Sequence, residues 1–165
     1  MKRILFLDID GVLNSKSSGT IWSSLKPDKY GLCDKCLQQV KRILTSTNSD
    51  IVWITSWRNH SINFVWKFEY FGREYKFKSP FQKAMNYFSD FKQDICDHLI
   101  KRNKSSDISY YLKSRNLDEQ NCKFAILDDD FTQGFDEEFS DHYFRCFFET
   151  GIDAKLANSV IEYLS

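Results

Sequence analysis

The sequence predicts a three-layer α/β fold with a central parallel sheet, and two patterns carry this prediction. Three short apolar runs, at residues 4–7, 51–54 and 124–127, show no alternation with polar residues, which is typical of strands buried on both faces of a parallel sheet. Between these runs, apolar residues recur at helical spacing. Strands that alternate with helices build βαβ units, and such folds bind ligands beyond the carboxyl ends of their strands.

The first half of the chain contains two irregular segments beside the first two strands. Residues 15–31 are rich in Ser, Gly, Lys and Pro and lack a period, so we expect a long flap there. Helical spacing then predicts a helix from residue 32 to about residue 44. Residues 58–80 are aromatic and irregular, and we expect a small insertion that contains a hairpin turning at Gly72.

The second half of the chain is predicted to be mainly helical around the third strand. Apolar residues on one helical face predict a long helix over residues 80–103. A short helix should follow, capped by Ser105 or Ser106. After the third strand, residues 143–148 are a candidate fourth strand and residues 152–164 predict a closing helix.

Length and charge limit the classes of protein that the chain can represent. With 165 residues, 42% of them hydrophobic, we expect one core and a single domain over residues 1–165. Lys plus Arg and Asp plus Glu both number 23, so a nucleic-acid role would depend on a local basic patch. The apolar run before Asp8 is too short for a signal peptide or a membrane span. We therefore expect a cytoplasmic protein with no membrane contact and no obligate protein partner.

The cysteines and histidines do not form a recognisable metal site. The five cysteines are odd in number, and a cytosolic chain of this size does not need disulfides. Cys33 and Cys36 form a CxxC pattern without a second pair, and Cys36 also falls on the apolar face of the predicted helix. A core helix is therefore favoured over a zinc site. The histidines show no metalloprotease spacing and are expected to be incidental; they are His60, His98 and His142.

The chemistry-bearing residues stand where the predicted strands end. The first strand ends in Asp8, the second in Thr55 and Ser56, and the third in Asp128 and Asp129. If these strands are parallel neighbours, the side chains converge on one edge of the sheet. Carboxylates brought close together repel one another and stay ionised at neutral pH only with a cation among them. An acidic site of oxygen ligands with room for water suits Mg²⁺.

Four segments in order resemble the motifs of the haloacid dehalogenase (HAD) superfamily. They are FLDIDGVLN at residues 6–14, IVWITSWRN at 51–59, KSSDISYYL at 104–112 and FAILDDD at 124–130. The closing stretch FFETGIDAKLANSVIEYL is similar to the tail of a small HAD-like group found as standalone proteins and within RNA-repair enzymes. The resemblance implies a Rossmann-like HAD fold with a minimal cap, and most members of the superfamily are Mg²⁺-dependent phosphatases.

The resemblance implies roles for five residues of the first two motifs. Asp8 matches the nucleophile that forms an aspartyl phosphate. Asp10 matches the general acid that protonates the leaving oxygen and then activates water, and its backbone carbonyl is expected on the metal. Gly11 lets the chain turn tightly past the phosphate. Thr55 matches the hydroxyl that binds a phosphoryl oxygen, and the backbone amides from Ser56 onward are further donors.

The third and fourth motifs imply a base and the remaining metal ligands. Lys104 best matches the basic residue that binds phosphate and neutralises the phosphoaspartate. Asp129 corresponds to the direct metal ligand and Asp128 to its acidic partner, which join Asp8 and Asp10 in the implied metal site. The superfamily often has a glycine before its metal aspartate, and here Asp128 stands in that position. Which of Asp128, Asp129 and Asp130 touches the metal directly is left open.

Each motif also has a purely structural explanation. The pair Asp8 and Asp10 followed by glycine could form a turn with an Asx cap. Thr55 and Ser56 could cap a helix, and Lys104 could belong to a solvated basic helix end. The order and spacing of all four motifs together favour a site.

The functional hypothesis is Mg²⁺-dependent hydrolysis of phosphomonoesters through an aspartyl phosphate, with a phosphorylated small molecule or a nucleic-acid end as substrate. The alternative within catalysis is a polynucleotide 3′ or 5′ end phosphatase in nucleic-acid repair. Aromatic residues 64–77, which alternate with basic residues, could stack bases there, although a core or lid role is commoner. The alternative from another class is a catalytically silent HAD-like binding module, against which the intact pair Asp8 and Asp10 argues.

Overall fold

The computed structural model describes residues 1–21, 30–59, 65–70, 72–97 and 103–165. Strands and helices alternate along most of this chain, and two short 3₁₀ helices cover Ser56–Asn59 and Phe131–Gln133. The elements in order are β1 (Lys2–Leu7), α1 (Asp34–Thr47), β2 (Asp50–Trp53), β3 (Val65–Tyr70), β4 (Arg73–Lys78), α2 (Pro80–Tyr87), β5 (Gln93–Ile95), α3 (Lys104–Ser114), β6 (Cys122–Asp128), α4 (Phe135–Glu138), β7 (Tyr143–Arg145) and α5 (Ala154–Leu164).

Four parallel strand pairings build one five-stranded sheet in the order β5-β2-β1-β6-β7. β1 lies at its centre, where Leu7 pairs with Trp53 of β2 and with Leu127 of β6. The backbone amide of Asp8 donates to Leu127 O at 3.0 Å, and that of Ile54 donates to Leu7 O at 3.1 Å. The polar residues after β1, β2 and β6 therefore meet at one edge, and the predicted α/β fold is confirmed.

Two apolar clusters separate the sheet from the helices on its two faces. Leu5 and Leu7 belong to the cluster that includes buried residues of α1, α2 and α5. Ile4 and Phe6 point to the other face and belong to the cluster with α3 and α4. This alternation along one strand produces the three layers, because successive side chains of a strand point to opposite faces.

The long helix predicted over residues 80–103 is wrong. α2 ends at Tyr87, and a fifth strand, β5, follows at the sheet edge beside β2. The side-chain amide of Gln93 explains the change of structure: it donates to Met85 O at 3.0 Å and Phe88 O at 2.8 Å, and its oxygen accepts from Trp53 Nε1 at 2.9 Å. These bonds satisfy carbonyls at the helix end and attach the strand to the sheet. The end of the predicted helix, residues 98–102, lies outside the described residues.

The cap predicted for the following helix is also wrong, by two or three residues. Asn103 caps α3, and its side-chain oxygen accepts from the backbone amide of Ser106 at 3.0 Å. Asn is as favourable as Ser at this position, so the helix begins before Ser105. Lys104 consequently becomes the first helical residue. The other helix and strand limits differ from the predicted ones by a few residues at each end.

The predicted hairpin is present, since β3 and β4 pair antiparallel and Gly72 adopts a φ of +69° at the turn. In the predicted flap, residues 22–29 lie outside the described residues, as do residues 60–64 and 71 of the insertion. The described part of the flap contains a network of hydroxyls, in which Ser15 contacts Ser18 Oγ at 3.0 Å.

All five cysteines are free. Cys36 lies in the core on α1, whereas Cys33 is the residue that precedes the helix. His142 packs against the ring of Phe124 and contacts the hydroxyl of Tyr163 at 2.6 Å, and His60 and His98 lie outside the described residues. Among the helices that the structure describes, none is both long and apolar enough to cross a membrane.

Candidate active site

Three carboxylates converge at the carboxyl ends of the two central strands. Asp8 follows β1, Asp128 ends β6, and Asp129 is the next residue. One carboxylate oxygen from each residue lies within 4.8 Å of the corresponding oxygens of the other two, and the side chains of Asp8 and Asp128 are buried. The parallel pairing of β1 with β6 brings residues 120 positions apart in the sequence into one acidic cluster, which we define as Asp8, Asp128 and Asp129.

Lys104 reaches into the acidic cluster from the start of α3. Its Nζ donates to Asp8 Oδ2 at 2.9 Å and to Asp128 Oδ2 at 2.6 Å. Burial alone would lower the pKa of this lysine, but the charges of Asp8 and Asp128 and the hydrogen bonds to both outweigh it and raise the pKa above its ordinary value. Lys104 is therefore a permanent cation beside the two carboxylates.

One lysine does not neutralise three carboxylates. Burial, together with the negative charge of Asp8, raises the pKa of Asp128, although Lys104 opposes the change. The same two causes raise the pKa of Asp129 to about 6. A bound cation would lower the pKa of both Asp128 and Asp129, because its charge offsets the repulsion that favours the protonated forms.

The acidic cluster fits a divalent cation with a preference for oxygen ligands. Carboxylates at this separation are the ligands that Mg²⁺ takes in proteins. Gly11 provides the space for one of them: a Cβ at Gly11 would lie 2.2 Å from Cγ of Asp129, and the φ of Gly11 is +73°. The glycine after Asp10 is thus needed both for the turn and for the approach of Asp129.

Asp130 has a structural role beside the acidic cluster. Its carboxylate accepts from the backbone amide of Thr132 at 2.9 Å and from the side-chain amide of Gln133 at 2.6 Å. Burial alone would raise the pKa of Asp130, but these hydrogen bonds lower it below its ordinary value. Asp130 caps the 3₁₀ helix Phe131–Gln133, so Asp128 and Asp129 are the members of the DDD run that lie in the cluster.

Asp10 lines the same cleft but is not a member of the acidic cluster, and its carboxylate accepts several hydrogen bonds. Its Oδ1 accepts from Asn14 Nδ2 at 2.8 Å and from the hydroxyl of Tyr30 at 2.9 Å. Its Oδ2 accepts from Trp57 Nε1 at 2.9 Å. Asn14 also receives the backbone amide of Gly11 at 2.9 Å, so the turn after Asp8 and the carboxylate of Asp10 are held by the same side chain.

The three donors to Asp10 were not predicted from the sequence. Asn14 and Trp57 lie within two of the quoted motifs, so their positions in those motifs were an available signal. Tyr30 lies at the end of the predicted flap, where the sequence has no period. Burial, with the nearby charge of Asp10, raises the pKa of Tyr30 well above its ordinary value, so the phenol keeps its proton.

Thr55 and Ser56 occupy different environments after β2. Thr55 is buried, and its Oγ1 accepts from the backbone amide of Trp57 at 3.4 Å, as the capping alternative predicted. Ser56 begins the 3₁₀ helix and lines the cleft beside Asp8. The phosphate-binding role that the resemblance implied for both residues stays a prediction.

A buried ion pair fixes the end of β2 against α3. The guanidinium of Arg58 donates to the carboxylate of Asp107 and to the carbonyl oxygens of Ile54 and Thr55, the last at 2.9 Å. Both charged side chains are almost fully inaccessible. Because Asp107 lies three residues after Lys104 on α3, this pair sets the position of Lys104 relative to the residues after β2.

The site opens into a cleft of about 650 Å³. One wall carries the carboxylates and Lys104, and the other is formed by residues near the end of β7 and by the 3₁₀ helix after β6. The lining residues of this second wall include Phe131, Gln133, Arg145, Phe147, Phe148 and Glu149.

The fold and the site define a Rossmann-like α/β protein with an acidic, lysine-bridged centre at the carboxyl ends of its central strands. A family profile described as "HAD domain in Swiss Army Knife RNA repair proteins" matches residues 4–157. The chain belongs to this HAD family. Neither the curated proteins nor the solved structures compared with the chain gave a significant match.

Proposed function

We propose that this protein is a Mg²⁺-dependent phosphatase that hydrolyses phosphomonoesters through an aspartyl phosphate on Asp8. The observation that carries the proposal is the position of Asp8, which accepts a hydrogen bond from the partly buried Lys104 and lies near two further carboxylates, where α/β folds bind their ligands. Membership of a HAD family points at the family level to phosphatase or nucleic-acid repair chemistry.

The acidic cluster would hold the ion. When bound, Mg²⁺ supplies positive charge that offsets the repulsion between the carboxylates and the phosphoryl oxygens. Lys104 adds a fixed positive charge on the same side of Asp8. These charges would offset the repulsion between the carboxylate of Asp8 and an anionic phosphate.

In the first half-reaction, a carboxylate oxygen of Asp8 attacks phosphorus and forms the aspartyl phosphate. The bond between phosphorus and the ester oxygen breaks, and the departing oxygen takes a proton from Asp10. The backbone amide of Ser56 and the ammonium of Lys104 would donate to the phosphoryl oxygens.

In the second half-reaction, Asp10 accepts a proton from water as the water oxygen attacks phosphorus. The bond to Asp8 breaks, which regenerates the carboxylate and releases inorganic phosphate. Asn14, Tyr30 and Trp57 orient Asp10 for both steps. The hydroxyl of Tyr30 can also rotate to accept a hydrogen bond, so it can serve both protonation states of Asp10.

The test is hydrolysis of a generic aryl phosphate with and without Mg²⁺. Asp8→Asn keeps the shape of the side chain but removes the attacking anion, so kcat should fall by at least about a thousandfold. Asp90→Asn is the matched control, since Asp90 is exposed and outside the cleft. Activity of Asp8→Asn within about tenfold of wild type would contradict the covalent mechanism.

A polynucleotide 3′ or 5′ end phosphatase is the second candidate, favoured by the RNA-repair description of the family. Oligonucleotides that carry a phosphate at one end distinguish it from a phosphatase of small molecules. A catalytically silent binding module is the remaining candidate, and it predicts no Mg²⁺-dependent hydrolysis of any phosphomonoester.

A further inference from the structure

The second wall of the cleft presents aromatic rings and a guanidinium to solvent. Phe131 is 57% exposed and Phe147 is 63% exposed. The guanidinium carbon of Arg145 lies 4.7 Å from the ring centroid of Phe131 and 5.7 Å from that of Phe147. We call these three residues, Phe131, Arg145 and Phe147, the aromatic wall.

Both rings stay largely exposed despite their contact with Arg145. Single exposed apolar side chains are normal, but here two phenylalanines lie beside the same arginine, and Phe148, 47% exposed, lines the same cleft. Contiguous exposed apolar groups mark ligand grooves and interaction sites. The wall faces the cavity that contains Asp8, so its ligand would share the site with the phosphate.

Arg145 is exposed, and its guanidinium lies over the rings of Phe131 and Phe147. Within the part of the chain that the structure describes, no carboxylate lies at ion-pair distance from its guanidinium. Asp130 and Glu149, which line the same cleft, are engaged elsewhere, because Glu149 contacts Lys16 Nζ at 3.2 Å and Asp130 accepts from Thr132 and Gln133. The wall therefore offers flat apolar faces and one positive charge.

Flat faces beside a guanidinium match a nucleobase attached to a phosphodiester. Aromatic side chains and arginine both stack on bases, and the stacking tolerates every base because each has a π-face. The base must be unpaired, since the faces of a base within a duplex are covered by its neighbours. A phosphopeptide would supply no planar ring beside its phosphate unless the sequence happened to carry one.

We propose that Phe131, Arg145 and Phe147 form a stacking subsite for the unpaired terminal nucleobase of a polynucleotide whose end phosphate lies at Asp8. The inference rests on the phosphatase function proposed above, because that function places the phosphate at Asp8. The stacking residues lie near the end of β7 and after β6, whereas the aromatic stretch that the sequence suggested for this role is in the insertion with β3 and β4.

The experiment removes the base and the ring separately and together. Two phosphorylated single-stranded oligonucleotides are compared, identical except that one has an abasic terminal nucleotide, and each is prepared with a 3′ or a 5′ phosphate. Wild type should hydrolyse the base-bearing substrate with a kcat/KM about tenfold or more above that of the abasic one, mainly through a lower KM. In Phe147→Ala the two substrates should differ by less than about twofold.

Two further variants define the cause of the effect. Tyr110→Ala removes a ring that is 47% exposed on α3, outside the cleft, and should keep the full preference for the base. Arg145→Lys keeps the charge but removes the planar guanidinium, so it should reduce the preference for the base. An unchanged melting temperature of Phe147→Ala shows that the loss is not unfolding.

The subsite is wrong if wild type hydrolyses both substrates equally well, or if Phe147→Ala retains the preference for the base. Hydrolysis of aryl phosphate with no base preference leaves the phosphatase proposal standing and overturns the subsite alone. Fluorescence anisotropy with the same oligonucleotides lacking phosphate measures binding alone, and it tests whether the subsite exists when the protein is not a phosphatase. Binding that depends on both the base and Phe147, without hydrolysis of any phosphomonoester, supports the subsite and overturns the phosphatase.

Discussion

Asp8 and Asp10 are two residues apart in the sequence, and their carboxylates have different hydrogen-bond partners. Asp8 contacts Lys104 in the acidic cluster, whereas Asp10 accepts hydrogen bonds from Asn14, Tyr30 and Trp57. The two carboxylates therefore share none of these hydrogen-bond partners. An anionic nucleophile and a proton carrier need different environments, since each depends on a different protonation state.

This separation predicts that the loss of activity on replacing Asp10 depends on the leaving group of the substrate. An aryl oxide departs without much protonation, whereas an alkyl oxide needs an acid. Asp10→Asn should therefore reduce kcat/KM for an alkyl phosphate at least about tenfold more than for an aryl phosphate. The measurement is the ratio of the two losses, and equal losses would remove Asp10 from the acid role.

Among the elements, α3 and the segment after β2 act as one unit because Arg58 and Asp107 join them. Asp107→Ala leaves the buried guanidinium without its carboxylate, and we expect a loss of about 3–5 kcal/mol in the free energy of unfolding. Urea denaturation measures it. Glu74→Ala removes the exposed ion pair with Lys76 on the hairpin and is the control, with a midpoint close to that of wild type. A similar midpoint for both variants would show that the buried pair does not hold α3 in place.

The elements that could be predicted are those with a clear apolar pattern. The runs that became β1, β2 and β6 are continuous apolar segments, and their parallel order followed from the helices between them. β5 was missed because it has three residues, only one of them apolar, at the sheet edge. Phe88, Phe91 and Ile95 continue the spacing of α2, so the pattern alone did not show where the helix ends.

The acidic cluster could be predicted because its residues end regular strands. The surroundings of Asp10 could not be predicted, because part of them comes from a segment without regular structure. Asp8 and Asp128 end neighbouring parallel strands, and sheet geometry brings strand ends together. Tyr30 reaches Asp10 from a segment without regular structure, where the sequence has no period to place a side chain. Contacts of that kind depend on tertiary packing.

Across the whole molecule, metal binding and folding should be linked. Mg²⁺ that binds only the folded state raises the melting temperature with the logarithm of its concentration above the dissociation constant. Asp129→Asn should abolish this dependence. Asp130→Asn is the control, because Asp130 caps a 3₁₀ helix and should leave the response intact. A full response in Asp129→Asn, measured by thermal shift, would place the ion elsewhere.

The same cluster predicts how stability changes with pH. The pKa of Asp129 is about 6 in the folded, metal-free protein, against about 4 in an unfolded chain. The folded state then binds more protons than the unfolded state between these values, so metal-free stability should fall as pH rises from about 4 through 6. Asp128 shifts in the same direction. Mg²⁺ competes with these protons, so its thermal shift should be larger at pH 7.5 than at pH 5. A Mg²⁺ shift that does not vary with pH would contradict the linkage.

The central place of β1 has a consequence for the order of events during synthesis. β1 pairs on one side with β2, which leaves the ribosome early, and on the other side with β6, which begins at Cys122. Until β6 emerges, one edge of an apolar strand stays unpaired and open to association with other chains. At about 5–20 residues per second, this interval lasts several seconds. The strand that closes the edge also carries Asp128, so a nascent chain acquires its acidic centre in the same step that ends its exposure.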